Sequence, residues 1–146
     1  MRTSIVFIVA VVAILGALPA GAQPGSVAPT APPIAQTPAQ ADLAPLVAPR
    51  VAYLNDVGTR KIAARTGKPR RDIQVLTQYG VSYFGWPKNV KPVAFEIEFF
   101  GGGAVAVRAS GYSPARKADY AAAFDAVLPE AVRQAEILKA RALRPK

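Results

Sequence analysis

The chain of 146 residues contains no cysteine and no histidine, and these two absences exclude more functions than any motif in it suggests. Without cysteine there is no disulfide framework, no thiol nucleophile and no thiolate metal site. Without histidine, the commonest general base and the commonest transition-metal ligand are missing, so Ser-His-Asp triads, Cys-His pairs and ordinary zinc sites are excluded whatever the fold. Carboxylate, lysine, tyrosine and hard-cation chemistry remain open. No aspartate-rich loop supports calcium, and no cofactor or metal site is expected. Acidic residues are also scarce, nine against eighteen Lys and Arg, for a formal net charge of +9.

What is present begins with an export signature. Arg2 precedes an apolar run from Ile5 to Leu18, interrupted at Gly16 and followed by Pro19 and the small-residue ending Ala20-Gly21-Ala22. This is the order of a secretory signal peptide over residues 1–22, with cleavage expected after Ala22. The run is shorter than the roughly 20 residues that span a bilayer, so cleavage is favoured over a retained anchor. The mature protein is then periplasmic or secreted, with no stable membrane anchor. Residues 23–49 hold seven prolines, no aromatic residue and Asp42 as the only charge. So little apolar surface does not offset the entropy of ordering the segment, which reads as a disordered, partly polyproline linker. Leu43, Leu46 and Val47 are the residues in it able to dock onto a domain.

Residues 50–146 are expected to form a single α+β domain with one modest core. Its centre is a glycine-turned hairpin at 93–111. Polarity alternates through Phe95, Glu96, Ile97, Glu98 and Phe99, and again around Val105 and Val107, as in half-buried strands. A three-residue loop at Gly101, Gly102 and Gly103 sets Phe99 opposite Val105, Ile97 opposite Val107 and Glu96 opposite Arg108. One face is then apolar and the other polar. Beyond the hairpin, Ser113-Pro114 has the grammar of a helix start. Tyr120, Ala123, Phe124, Val127, Ala131, Ala135, Leu138 and Ala142 share one helical stripe, and Pro129 falls on the opposite face. The expectation is a long, Pro-kinked C-terminal helix, or two abutting helices, on the sheet's apolar face.

The first half of the domain is less regular. Residues 51–65 can be drawn as an N-terminal helix with Val51, Leu54, Gly58 and Ile62 on one face, ended by Gly67 and Pro69. Residues 72–86 favour one strand, with a bulge at Gly80, because Ile73, Val75, Thr77, Tyr79, Val81 and Tyr83 share a parity. Ile73, Leu76 and Tyr79 also have helical spacing, with Gly80 as a C-cap. In sum, the expected sheet has three to four antiparallel strands.

Charge is concentrated in this same half. Residues 50–91 hold nine Lys and Arg against Asp56 and Asp72, net +7, whereas 92–146 hold eight against six, net +2. The segment Thr59-Arg60-Lys61-Ile62-Ala63-Ala64, followed by Gly67 and Ile73, resembles a helix-turn-helix over about 20 residues. The resemblance implies a recognition helix at 69–79 presenting Arg70, Arg71 and Gln74 to a major groove. An export signal argues against it, because no genomic target lies outside the cell. Candidate binding residues are Lys68, Arg70, Arg71, Tyr83, Trp86, Lys88 and Lys91, since aromatic faces beside cations suit sugars, anionic polymers or peptides. The alternative is that Trp86 covers one end of the core and the cations form a solvated turn. Glu96 and Glu98 point from one face of a strand and suggest acid–base chemistry, but Arg108 opposite Glu96 makes a structural pair the better reading.

The functional expectation is therefore a non-catalytic binding or structural module of the envelope, recognising a protein or an anionic envelope polymer through its basic first half. A small carboxylate-based hydrolase or lyase and a helix-turn-helix-like nucleic-acid binder are the alternatives.

Overall fold

The computed structural model describes residues 33–54, 58–65 and 72–145, all of which belong to one compact unit, Ala31–Lys146. The fold is α+β. A helix α1 (Pro38–Val51) is followed by strands β1 (Arg60–Ala64), β2 (Ile73–Thr77), β3 (Gly80–Phe84), β4 (Ala94–Phe99) and β5 (Val105–Ser110). A short 3-10 turn, Pro114–Arg116, then leads into α2 (Lys117–Ala142). The five strands form one sheet in the order β3-β2-β1-β4-β5, every neighbouring pair antiparallel. The sheet thus has five strands rather than three or four.

The hairpin of β4 and β5 has the expected register: Phe99 faces Val105, Ile97 faces Val107 and Glu96 faces Arg108. Its turn is closed by Phe100 N–H donating to Ala104 C=O and Ala104 N–H to Gly101 C=O, each at 3.1 Å. Gly101, Gly102 and Gly103 all have positive φ, 83°, 60° and 82°, a conformation that costs glycine nothing sterically. Both helices pack on the face that carries Phe95, Ile97, Phe99, Val105 and Val107, and the core is shared between that face and the two helical stripes. Phe95 meets Phe124 edge-on, with ring centroids 5.0 Å apart.

Three expectations about the first half are corrected. The N-terminal helix is not at 51–65. It lies at Pro38–Val51, inside the segment read as a disordered linker, so the folded unit starts well before residue 50. Thr37 caps it, its hydroxyl accepting from Gln40 N–H at 3.1 Å, and Pro38 occupies the first turn. Ala39, Leu43, Val47 and Val51 recur every four residues and are all buried, so packing supplies what a proline-rich sequence lacks in propensity. Pro45 and Pro49 are exposed, where water can take the carbonyls whose partners they remove. Docking by Leu43, Leu46 and Val47 is as expected.

Residues 60–64, read as helical, form the central strand of the sheet, with Ile62, Ala63 and Ala64 all buried. Arg60 shares the parity of Ile62 and Ala64, and Ala63 takes the opposite one, so polar and apolar residues do not alternate and the signal that separates a strand from a helix is missing. Gly58 is not a helix interior but a bend with φ 126°. Residues 72–86 are two strands, not one, joined by a two-residue turn at Gln78-Tyr79. Thr77 Oγ1 holds that turn by accepting from Tyr79 N–H at 3.0 Å and Gly80 N–H at 3.1 Å. With 60–64 and 73–77 both extended, the helix-turn-helix resemblance and the recognition helix it implied do not hold.

The C-terminal helix keeps the expected stripe. Tyr120, Ala123, Phe124, Val127, Ala131 and Ala135 are buried, joined by Leu128 and Val132, while Leu138 is half-buried and Ala142 exposed. Ser113 precedes the 3-10 turn without a side-chain cap, and α2 runs unbroken through an exposed Pro129 rather than dividing into two helices.

Candidate functional site

Both helices lie on one face of the sheet, and among the described residues no helix or strand packs on the other, termed the open face. Pairing registers place two rows of side chains across it. Tyr83, Gln74, Ala63, Glu96 and Arg108 form one row, and Val81, Leu76, Lys61, Glu98 and Ala106 the next. The β3–β2 end of the face is uncharged, with Tyr83 accepting from Gln74 Nε2 at 3.2 Å. The β1–β4–β5 end is a ladder of alternating charge. Arg108 Nη1 lies 3.3 Å from both Glu96 Oε1 and Glu98 Oε2, and Lys61 Nζ lies 3.6 Å and 3.9 Å from the same two carboxylates.

Next to this ladder, a groove of about 300 Å³ crosses the start of β4, lined by Ala63, Arg65, Ala94, Glu96, Arg108 and Ser110. Its shape follows from side-chain size. Ala63 and Ala94 leave a depression between the longer residues of β1 and β5. Arg65 stands exposed at the end of β1, its backbone N–H tied to Asp72 C=O at 2.8 Å, and Arg108 and Ser110 stand on the far side. Two guanidinium groups and a hydroxyl around a shallow trough suit carboxylate or phosphate groups, which accept paired coplanar N–H donors. Counting Lys61, Arg65 and Arg108 against Glu96 and Glu98, this end of the face is net positive by one.

Of the residues singled out by sequence, the four that are described do not form one ligand-facing patch. Lys68, Arg70 and Arg71 lie outside the described residues. Tyr83 is on the open face, 45% exposed. Trp86 packs against the core and donates from Nε1 to Val90 C=O at 3.0 Å, closing its own loop. Lys88 is exposed in that loop, and Lys91 pairs with Asp119 of α2 at 3.3 Å. Much of the first half's positive charge is likewise committed inside the fold. Arg50 pairs with Asp125, its Nε 2.7 Å from Oδ1, and also bonds Leu46 C=O. Arg60, only 2% exposed, reaches Glu136 of α2 at 2.9 Å. Arg60 shares the parity of Ile62 on a central strand, a sign of burial readable in the sequence once β1 is known to be a strand.

Residues that sequence reasoning passed over frame β5. Gln40 of α1 is buried and bonds the edge of β5 twice: Nε2 donates to Val105 C=O at 2.9 Å and Oε1 accepts from Val107 N–H at 2.5 Å. Beside it a second cavity, about 330 Å³, is lined by Pro33, Ile34, Thr37, Phe100, Ala106 and Arg108. Tyr112 fastens the same N-terminal part of α1 at a second point, donating to Asp42 Oδ2 at 2.5 Å. Burial first, then that bond and the carboxylate's charge, push the Tyr112 hydroxyl up to about 12. Among the described residues there is no cluster of three or more carboxylates that could hold a metal, and no helix is long and apolar enough to cross a membrane.

Comparison with family models, with curated proteins and with solved structures finds no match to this chain.

Proposed function

We propose that this chain is an exported, non-catalytic binding module of the cell envelope that takes an anionic partner, a polymer or a protein segment, on the open face of its sheet. The observation that carries this reading is the groove between Arg65 and Arg108, floored by alanine and edged by Ser110. The sequence places Lys68, Arg70 and Arg71 in the segment that joins β1 to β2, between Arg65 and Asp72. The export signature at residues 1–22 supplies the compartment.

The alternative, a carboxylate-based hydrolase or lyase, needs Glu96 or Glu98 to serve as an acid or a nucleophile. Each is instead bridged to Lys61 and Arg108, an arrangement that favours a structural pair over a proton donor. The test is retention of envelope fractions and of polyglutamate on the immobilised full chain at low and at moderate salt. The expected result is retention at low salt that falls as salt screens the contact and weakens in Arg65→Ser. Retention of no anionic component at either ionic strength overturns the reading. A hydrolytic activity lost in a Glu96→Gln, Glu98→Gln double variant would return the enzyme alternative to first place.

A further inference from the structure

Among the described residues the sheet ends at β3, and this end strand has an unusual composition for an edge. Gly80-Val81-Ser82-Tyr83-Phe84 carries no charge, no proline and no lysine, the residues by which edges are commonly guarded against pairing. Val81 is 48% exposed and Tyr83 45% exposed, side by side on the open face. Their neighbours on β2 in the same rows, Leu76 and Gln74, are uncharged too. The two-residue turn makes Thr77 and Gly80 a hydrogen-bonded pair, so Gly80, Ser82 and Phe84 direct their N–H and C=O groups toward β2. By alternation Val81 and Tyr83 direct theirs to the outer side of the sheet.

We propose that β3 pairs antiparallel with β3 of a second copy of this chain, about a two-fold axis at Ser82, joining two five-stranded sheets into one. The strand is complementary to itself in that register. Val81 falls opposite Tyr83 of the second copy, and Tyr83 opposite its Val81, giving two aromatic–β-branched cross-strand pairs, a favourable combination. On the helix-covered face, Gly80 falls opposite Phe84, so the aromatic ring meets the residue that leaves it room. Charge selects the occupant. A chain of net +9 repels its own copies, and a strand without charged side chains allows contact without opposing like charges. An acidic peptide would instead need cations on the strand, and β3 has none. The pairing is independent of the anionic-partner reading, although it would set two copies of the groove on one continuous face.

The experiment is sedimentation equilibrium of the full chain over a wide concentration range, beside Val81→Lys and Ser82→Cys. Wild type is expected to dimerise reversibly, and Val81→Lys to stay monomeric with an unchanged far-ultraviolet spectrum. Ser82 would sit at a non-hydrogen-bonded pair, where opposed Cα atoms are about 4.5 Å apart, within disulfide reach. Because the chain has no cysteine of its own, Ser82→Cys is expected to form one covalent dimer on mild oxidation, at least tenfold faster than Lys88→Cys. A wild-type chain that stays monomeric at every concentration overturns the proposal. So does a dimer that survives Val81→Lys, or equal cross-linking of the two thiol variants. Loss of a different bound protein in Val81→Lys, from a monomeric wild type, would give the edge to that protein and also overturn it.

Discussion

At β5 a glutamine from α1 stands where the next strand would be, accepting one backbone N–H and donating to one C=O. At β3 the strand order ends among the described residues, with Val81 and Tyr83 half exposed. The same sheet therefore has one edge closed by a side chain and one edge that no described element closes. The difference shows what α1 does. It packs Leu43 and Val47 into the core that Val105 and Val107 share, and its Gln40 also terminates the sheet at β5.

The largest test of this contrast is Leu43→Ala. A fully buried leucine replaced by alanine costs about 2–5 kcal/mol. Urea unfolding should show a loss in that range, and amide exchange at Val107 should accelerate as α1 loosens. Unchanged stability would mean that α1 is not part of the cooperative unit. Gln40→Leu keeps the volume but leaves Val107 N–H and Val105 C=O unpaired, for an expected loss of about 1–3 kcal/mol. If the closed edge is what directs association, this variant should also form higher oligomers through β5, visible in sedimentation.

Tyr112→Phe removes the other fastening of α1, and its signature is a pH dependence. A tyrosine held above its ordinary value of 10 stabilises the fold while protonated. That contribution is complete below pH 10 and is lost as pH rises toward about 12. The margin of wild type over Tyr112→Phe in urea midpoint should therefore be constant at neutral pH and close between those two values. The smallest effects are expected on the open face. Arg108→Ala breaks exposed ion pairs and should change stability by no more than about 1 kcal/mol. Val81→Lys on the exposed edge should stay within about 0.5 kcal/mol while altering association.

How much of this was legible in the sequence depends on how local the signal is. The hairpin could be read to the residue because alternation and three glycines specify one register, and Glu96 opposite Arg108 followed from it. The stripe of α2 was equally plain. The first half was obscured in two ways. In α1, the four-residue spacing of Ala39, Leu43, Val47 and Val51 is present in the sequence, as is Thr37-Pro38, but three prolines within the helix bounds made composition speak louder than periodicity. In β1, Arg60 on the parity of Ile62 and Ala63 on the other parity erased the alternation. At β2–β3 a single parity ran through a turn that has no glycine at its centre, because Thr77 supplies the turn's hydrogen bonds instead. The groove was legible only as separate residues. Arg65, Ser110 and Arg108 lie on two strands that meet through β4, and nothing local in the sequence brings them together.

The ion pairs that tie the two halves together also fix an order of events. Arg50 ends on Asp125, Arg60 on Glu136 and Lys91 on Asp119, so cations of the early chain are matched by carboxylates of the last helix. A chain made from its N-terminus has produced α1 and all five strands before those acids exist. Until α2 is present, the apolar face of the sheet lacks its main cover and Arg60 lacks Glu136. Such long-range dependence makes completion of the fold wait for the last helix. A polypeptide built this way closes its core only once its last helix has been made.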